Sequence, residues 1–174
     1  LGLTFPGGQK TFLSAGLAGA IGTVETRPIE LTSAFGSFGN GGVHVPTRMI
    51  LSIEGPDGSD VYRAPAPDGP QAISKQAAFL ITDILAGNTD PKVNPYWGKF
   101  QITEGKRRRH ATLKTGTNND AKDLNAYGYI GAPSAKERAD GEYALAVAAW
   151  NGNSDNTVIS TPRDPLFSID VTAH

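Results

Sequence analysis

The spacing of apolar residues predicts a helix that begins after Thr26 and ends at Asn40. Thr26 is expected to cap its N-terminus, and Pro28 lies near the first helical position, where proline is well tolerated. Two glycines follow Asn40 and supply the left-handed backbone that commonly ends a helix. The glycine-rich residues 1–24 are expected to form a loop with one short helical turn. The apolar stripe of this helix consists of Leu31, Ala34, Phe35 and Phe38.

A second helix is predicted over residues 74–86, with Ser74 as its cap and Gly87 as its end. Its apolar positions follow the 3.6-residue period, which is typical of a helix that packs through one face. They are Ala77, Leu80, Ile81, Ile84 and Leu85.

Between the two helices, alternate apolar residues predict a β-strand over residues 43–53, which Pro46 interrupts or places at a sheet edge. A turn is predicted at residues 56–58, and residues 61–62 are expected to return as the second arm of a hairpin. Residues 64–72 are rich in proline and alanine and are predicted to form a loop.

The last third of the chain changes from helical to strand periodicity. Residues 144–149 are nearly all apolar, which is typical of a strand that is covered on both faces. Short connections make the strands of this region antiparallel. The chain is therefore predicted to be α+β, with antiparallel strands in residues 108–151 packed on helical segments from residues 24–90. The three predicted strands cover residues 110–117, 124–130 and 143–150.

The composition narrows the classes of chemistry. The 174 residues correspond to about one domain, with 39% hydrophobic and 19% charged residues. The chain has no cysteine and three histidines, so a zinc site or other metal centre is not expected, nor is any cofactor. A net charge of −1 does not favour nucleic acid as a partner, and the basic residues 106–109 are interpreted as a solvated loop or strand start. No apolar run is long enough to cross a bilayer.

One short motif points to a specific chemistry. Lys-Thr-Gly-Thr at residues 114–117 is a weak pattern alone, but three other segments accompany it in a fixed order. Together they resemble the transpeptidase domain of class A penicillin-binding proteins, which has a serine transpeptidase/β-lactamase-like fold. The four segments are Thr-Arg-Pro-Ile-Glu-Leu at 26–31 followed by Ala-Phe-Gly-Ser-Phe-Gly-Asn-Gly-Gly at 34–42, Lys-Thr-Gly-Thr-Asn-Asn-Asp-Ala-Lys-Asp at 114–123, Ala-Tyr-Gly-Tyr at 126–129 and Ala-Ala-Trp-Asn-Gly-Asn at 148–153.

The resemblance implies a D,D-transpeptidase that cross-links peptidoglycan. In that family a serine attacks a stem-peptide carbonyl or the lactam carbonyl of penicillin. It implies that Lys114 keeps the site electropositive and supports proton transfer, and that the Thr115 and Thr117 hydroxyls hold the terminal carboxylate. The Thr117 N–H would donate to the oxyanion. Gly116 would leave space for a substrate that lies antiparallel along the strand.

The sequence departs from the family pattern in two respects. The nucleophile motif Ser-x-x-Lys is absent, and Ser-Asp-Asn at residues 154–156 follows Lys-Thr-Gly-Thr instead of preceding it, so we interpret it as a turn. Residues 1–174 are thus expected to be a single partial domain, the C-terminal portion of a transpeptidase domain. The chain alone is expected to be inactive, with exposed sheet and helix faces where the remaining part of the domain would pack.

The resemblance places the parent protein at the extracytoplasmic face of the bacterial membrane, held by an anchor outside this chain. A serine β-lactamase, a non-catalytic scaffold or β-lactam sensor, and an unrelated antiparallel binding module are the alternatives. Tyr96 and Trp97 are interpreted as a loop anchor rather than a substrate groove, Trp150 as core, and His110 as an ordinary strand residue.

Overall fold

A computed structural model describes residues 1–104, 106–108, 110–131, 136, 139, 144–163 and 165. The α-helices are α1 (Gln9–Ser14), α2 (Pro28–Gly39) and α3 (Lys75–Gly87), and 3₁₀ helices cover Gly16–Ile21, Gly98–Phe100 and Asn119–Ala121. The strands are β1 (Ser52–Glu54), β2 (Asp60–Arg63), β3 (Thr103–Glu104), β4 (Arg107–Arg108), β5 (Lys114–Thr117), β6 (Asp123–Ile130) and β7 (Leu145–Gly152).

The main sheet has three antiparallel strands in the order β5-β6-β7. This confirms the predicted α+β class and the antiparallel set of three strands. The first strand begins later than predicted, because before Lys114 only an isolated bridge joins Ala111 to Ile130. The predicted start of the third strand at Tyr143 lies outside the described residues. The core lies at the centre of the sheet, where Leu124 and Ala126 of β6 are fully buried.

Helix α2 packs on one face of β6 and β7. The ring of Phe35 stacks on the ring of Tyr127 with a centroid separation of 5.4 Å. Gly39 lies against Tyr129, since an added Cβ would come within 2.8 Å of the Tyr129 ring. The helix thus approaches the sheet closely at a residue without a side chain, and it covers the face of β6 that carries both tyrosines.

The N-terminus of α2 differs from the prediction. Arg27, in extended conformation, occupies the N-cap position, and Thr26 does not. Pro28 is the first helical residue, which is its preferred place, and the residue before a proline is pushed out of the helical region. The C-terminus of α2 agrees with the prediction, since Asn40 is the C-cap and Gly41 and Gly42 have positive φ.

Helix α3 begins as predicted, with the Ala77 N–H donating to the Ser74 hydroxyl at 3.1 Å. The predicted apolar stripe, however, does not face the sheet: Leu80 is 59% exposed and Ile84 is 68% exposed. The small residues Ala78 and Ala86 are buried instead. The helical period of apolar residues identifies an apolar stripe on α3 but not the element that it packs against. Here the face with the small residues Ala78 and Ala86 allows α3 to pack closely.

The remaining elements are short. β1 and β2 form the predicted hairpin, with Gly58 in the turn at a φ of 79°. The predicted strand over residues 43–53 is wrong over most of its length, because only an isolated bridge joins Val43 to Gln71 before β1 begins. Residues 1–24 contain two helical segments rather than one turn. β3 pairs with β4, so part of the basic run forms a strand start, while Arg109 lies outside the described residues.

The structure differs from two expectations for strand β7, its coverage on both faces and the burial of Trp150. It is not covered on both faces in the described part of the chain, since Leu145 and Val147 are about half exposed. Ala146 contacts α2, where an added Cβ on Gly36 would lie 3.4 Å from the Ala146 Cβ. Trp150 is 51% exposed and is therefore not a core residue.

Candidate active site

The four residues of the Lys-Thr-Gly-Thr motif form strand β5 at one side of the main sheet. In the described residues, β6 is the only strand that pairs with it. Lys114 lies opposite Tyr127 and Thr117 opposite Leu124, so the whole motif is in register with the buried central strand. The structure thus brings all four predicted site residues together on a short strand with a rigid support.

The hydrogen bonds on either side of β5 fix the direction of its backbone groups. The Thr112 N–H donates to the Tyr129 carbonyl at 2.9 Å, and the Asn118 N–H donates to the Asp123 carbonyl at 3.2 Å. Hydrogen-bonded and non-hydrogen-bonded pairs alternate in an antiparallel ladder. The even-numbered residues of this segment therefore point their backbone groups toward β6. The odd-numbered residues, which include both threonines of the motif, point theirs to the opposite side, called here the outer edge.

Contacts along the outer edge agree with this assignment. The Leu113 N–H donates to the Leu85 carbonyl at 3.4 Å, and the Leu113 carbonyl accepts from Asn88 Nδ2 at 2.6 Å. The next outward carbonyl, that of Thr115, accepts from Lys114 Nζ at 2.6 Å. The C-terminus of α3 thus covers the start of the outer edge, and the ammonium group of the motif lies on the edge itself.

Side chains alternate between the two faces of β5. Lys114 and Gly116 share the face of Tyr127, whereas Thr115 and Thr117 share the opposite face. Two hydroxyls on one face, beside an edge with a cation, can bind the two oxygens of a single carboxylate. The strand therefore has the donor set that the resemblance predicts, with a positive charge and two hydroxyls within four consecutive residues.

Gly116 is tightly bounded within the sheet. A Cβ built on it would lie 2.4 Å from Asn125 Oδ1 and 3.1 Å from Asn125 Cγ. Asn125 is its direct cross-strand partner on β6. The structure therefore gives a reason for glycine that sequence reasoning missed, which is the cross-strand side chain.

A cleft of about 240 Å³ lies beside the start of β5. Two motif residues reach it, Lys114 and Thr115. Trp97, which is interpreted from the sequence as a loop anchor, also lines this cleft. The periodicity of apolar residues does not mark residues in loops or helix caps. Asn88 and Asn94 were therefore not predicted as site residues from the sequence. The cleft is lined by Asn88, Asn94, Trp97, Leu113, Lys114 and Thr115.

The loop that carries Trp97 is held by its own hydrogen bonds. The Asn94 N–H donates to the Asp90 carbonyl at 2.7 Å, and the Asn94 carbonyl accepts from the Gly98 N–H at 2.9 Å. The Asn94 side-chain oxygen accepts from the Trp97 N–H at 3.3 Å. Gly98 is buried so close to Pro91 that an added Cβ would lie 2.4 Å from it. Trp97 is therefore brought to the cleft by an ordered loop.

Two tyrosines behind the strand are structural. Burial raises the pKa of the Tyr127 hydroxyl, and the charge of Asp123 raises it further. Burial also raises the pKa of Tyr129, although hydrogen bonds from Thr82 and Thr112 partly offset this. Both phenols are therefore neutral at physiological pH and support the sheet.

The structure confirms the turn that is predicted after the last strand. Ser154 and Asp155 form a turn after β7, and the Asp155 carboxylate accepts from the Thr157 N–H at 3.1 Å. Within the described residues, no group of three histidine, aspartate or glutamate side chains could hold a metal ion. None of the described helices is long and apolar enough to span a membrane.

Comparison with known proteins identifies related domains. Residues 5–161 match the family described as penicillin binding protein transpeptidase domain. Penicillin-binding protein 1A of Neisseria cinerea is 31% identical over 159 residues, which are 83% of this chain and 19% of that protein. Penicillin-binding protein 2D of Bacillus subtilis is 25% identical over 156 residues, 88% of this chain and 20% of that protein. The chain thus spans about a fifth of the length of these curated relatives.

Solved structures share the fold. The penicillin-binding protein PonA1 from Mycobacterium tuberculosis matches with a TM-score of 0.64 at 18% identity, over 87% of this chain and 36% of that chain. Penicillin-binding protein 1A from Haemophilus influenzae matches with a TM-score of 0.59 at 21% identity, over 80% of this chain and 24% of that chain. A second PonA1 structure, in complex with penicillin V, matches with a TM-score of 0.62 at 18% identity, over 87% of this chain and 36% of that chain.

Proposed function

Because this chain belongs to the penicillin-binding protein transpeptidase family, we propose that it is the C-terminal portion of a domain that cross-links peptidoglycan by serine acyl transfer. The observation that carries the proposal is strand β5. This strand carries Lys-Thr-Gly-Thr at one end of the strand order, and the backbone groups of both threonines point to its outer edge.

The acyl donor lies antiparallel along the outer edge of β5. Its backbone pairs with the outward groups of Thr115 and Thr117, in the manner of an added strand. The carbonyl under attack lies at the Thr117 N–H, which stabilises the oxyanion as charge develops there. The Thr115 and Thr117 hydroxyls, which share one face of the strand, hold the terminal carboxylate of the donor.

Lys114 supplies the positive charge of this site. Its ammonium group lies at the outer edge, 2.6 Å from the Thr115 carbonyl. In acylation, the serine Oγ–H bond breaks and a carbonyl–Oγ bond forms, while the terminal D-alanine leaves with the proton on its nitrogen. Lys114 favours the proton transfer and the anionic intermediate, and an acceptor amine then takes the acyl group and restores the serine.

The nucleophilic serine comes from a part of the protein outside these 174 residues. The full sequence of this chain has no Ser-x-x-Lys. A surface that could receive the rest of the domain is the apolar side of α3, where Leu80 and Ile84 are largely exposed. Exposed apolar residues grouped on one helix face are typical of a protein interface. The complete domain therefore forms when further chain packs against this portion.

The ligands of the complete protein are peptidoglycan stem peptides and β-lactam antibiotics, which present a carbonyl and a carboxylate in similar positions. The substrate lies in the cell wall, so the domain works at the extracytoplasmic face of the bacterial membrane, on an anchored parent. The donor set of β5 needs no metal or cofactor for acyl transfer, since a cation, hydroxyls and a backbone N–H provide the charge stabilisation.

The test is intact-mass spectrometry of the full-length protein after incubation with benzylpenicillin. A slowly hydrolysed covalent adduct is expected, and Lys114→Ala is expected to slow its formation about 100-fold. Lys92→Ala serves as the control, since Lys92 is exposed outside the cleft. Rapid loss of the adduct would identify a β-lactamase. No adduct on a folded protein would identify a scaffold without this chemistry.

A further inference from the structure

We propose that Trp97 is a specificity-determining residue, because it walls the cleft beside β5 and so limits the size of the leaving group that the site accepts. The inference rests on the proposed function and names the ligand group that each part of the site receives. It uses the cleft and the ordered loop at residues 90–98, which the Lys-Thr-Gly-Thr motif does not include.

The polarity of the added strand places the leaving group. β5 runs from Lys114 to Thr117, so an antiparallel ligand runs from Thr117 toward Lys114. With the attacked carbonyl at the Thr117 N–H, the part of the ligand that follows the scissile bond lies beside Thr115 and Lys114. The cleft is lined by these two residues and not by Thr117. It therefore lies on the side from which the leaving group departs.

The chemistry of the cleft matches a small group that lies next to the carboxylate, with the Thr115 hydroxyl at the boundary between the two. Trp97 and Leu113 provide apolar walls, while Lys114 and Thr115 provide a cation and a hydroxyl. The volume of about 240 Å³ is below that of a site for a drug-sized molecule, which begins at about 300 Å³. A terminal D-alanine or the carboxylate-bearing ring of a β-lactam fits this description. A bulky substituent on that ring would meet the indole.

The backbone of Trp97 and one face of its surroundings are ordered by local contacts. Its loop is closed by hydrogen bonds around Asn94, and the Tyr96 ring packs edge-on against Trp97 with a centroid separation of 5.8 Å. The Lys99 ammonium lies 5.6 Å from the Tyr96 ring centroid and 4.9 Å from that of Phe100. An indole on an ordered loop narrows the cleft for large groups, and this gives selectivity.

The test compares two cephalosporins with the same acylamino side chain. One has a methyl group and the other a phenyl group on the ring carbon adjacent to the carboxylate-bearing carbon. The second-order rate constant of acylation of the full-length protein is measured for each by intact-mass spectrometry. Wild type is expected to prefer the methyl compound at least about tenfold. Trp97→Ala is expected to remove most of this preference, and Trp97→Phe to retain part of it.

Val93→Ala is the matched control, because Val93 lies on the same loop, is 71% exposed and does not line the cleft. It should keep the wild-type preference. An unchanged preference in both Trp97 variants overturns the inference, as does an equal loss of acylation by both compounds in variants with the wild-type melting temperature. If Trp97→Ala does not fold, Trp97→Phe alone decides. Absence of any adduct on wild type would instead overturn the proposed function, and this inference with it.

Discussion

The side-chain amide of Asn88 donates a 2.6 Å hydrogen bond to the carbonyl of Leu113, the residue that precedes the Lys-Thr-Gly-Thr strand. Asn88 is the C-cap of α3, so this bond ties the end of a helix to the outer edge of β5. Together with the Leu113 N–H bond to the Leu85 carbonyl, it fixes where the strand begins. Helix α3 therefore positions the candidate active site although it contributes no motif residue.

Asn88→Ala should weaken this junction. The half-buried Leu113 carbonyl would lose its donor, which is expected to lower the free energy of unfolding by about 1–3 kcal/mol. Chemical denaturation of the full-length protein measures the change. Gln76→Ala, which removes an exposed amide from the same helix, is the control and should be close to neutral. Equal effects of the two substitutions would show that the Asn88 bond does not hold the strand.

Gly116→Ala should be destabilising because the new Cβ would overlap the Asn125 side chain. The Asn125 amide is the end of a flexible side chain and can turn aside, so the expected cost is that of an unfavourable rotamer, about 0.5–1.5 kcal/mol. The double variant Gly116→Ala/Asn125→Ala removes the overlap and should recover stability. A double-mutant cycle by chemical denaturation measures the coupling. Simple additivity would contradict the cross-strand explanation.

Ala121→Gly should stabilise the turn after β5. Ala121 has a φ of 51°, a left-handed conformation that costs an L-residue about 1–2 kcal/mol. Glycine removes this cost but adds freedom to the unfolded chain, which leaves a net gain of about 0.5–1 kcal/mol. Thermal unfolding compares it with Ala66→Gly, at an exposed loop position without positive φ, which should lower stability. A loss in both variants would show that the turn is not strained.

The N-terminal segment should contribute pH-dependent stability through Glu30. Hydrogen bonds from the Thr4 backbone N–H and hydroxyl, both at 2.8 Å, lower the pKa of the Glu30 carboxyl. Between this lowered pKa and the ordinary value of about 4.3, the unfolded chain binds more protons than the folded one. The contribution is therefore present above about pH 4.3 and is lost as the pH falls through the folded-state pKa.

Thr4→Ala removes one cause of that shift. Its melting temperature should lie below that of wild type at neutral pH, and the two should converge in acid, where Glu30 is protonated. Thr4→Ser keeps the hydroxyl and should follow wild type. A gap between Thr4→Ala and wild type that stays constant down to the acid limit would show that the effect comes from packing instead of the carboxylate.

The sequence predicted the parts of this fold that depend on local chemistry. The antiparallel strands, the Ser74 cap and the placement of the motif on a strand all follow from periodicity and residue type. The face of α3 could not be predicted, because the stripe that contains Leu80 and Ile84 is apolar yet exposed. Partner choice is a tertiary property, and here the small residue Ala78 is buried instead.

The residues of the cleft could not be predicted from the sequence either. Asn88 and Trp97 lie in a helix cap and an irregular loop, where neither period nor motif marks a residue as functional. Only the hydrogen bond to Leu113 and the closed loop around Asn94 bring them to β5. Contacts of this kind join residues far apart in sequence, so they can be identified only from the three-dimensional structure.

The role of β5 in acyl transfer is tested by a crystal structure of the full-length protein acylated by benzylpenicillin. The acyl carbonyl oxygen is expected at about 2.7–3.1 Å from the Thr117 nitrogen. The carboxylate is expected at the Thr115 and Thr117 hydroxyls, with the ring beside Trp97. An acyl group whose carbonyl oxygen and carboxylate both lie away from the outer edge of β5 would show that this strand does not bind the acyl donor.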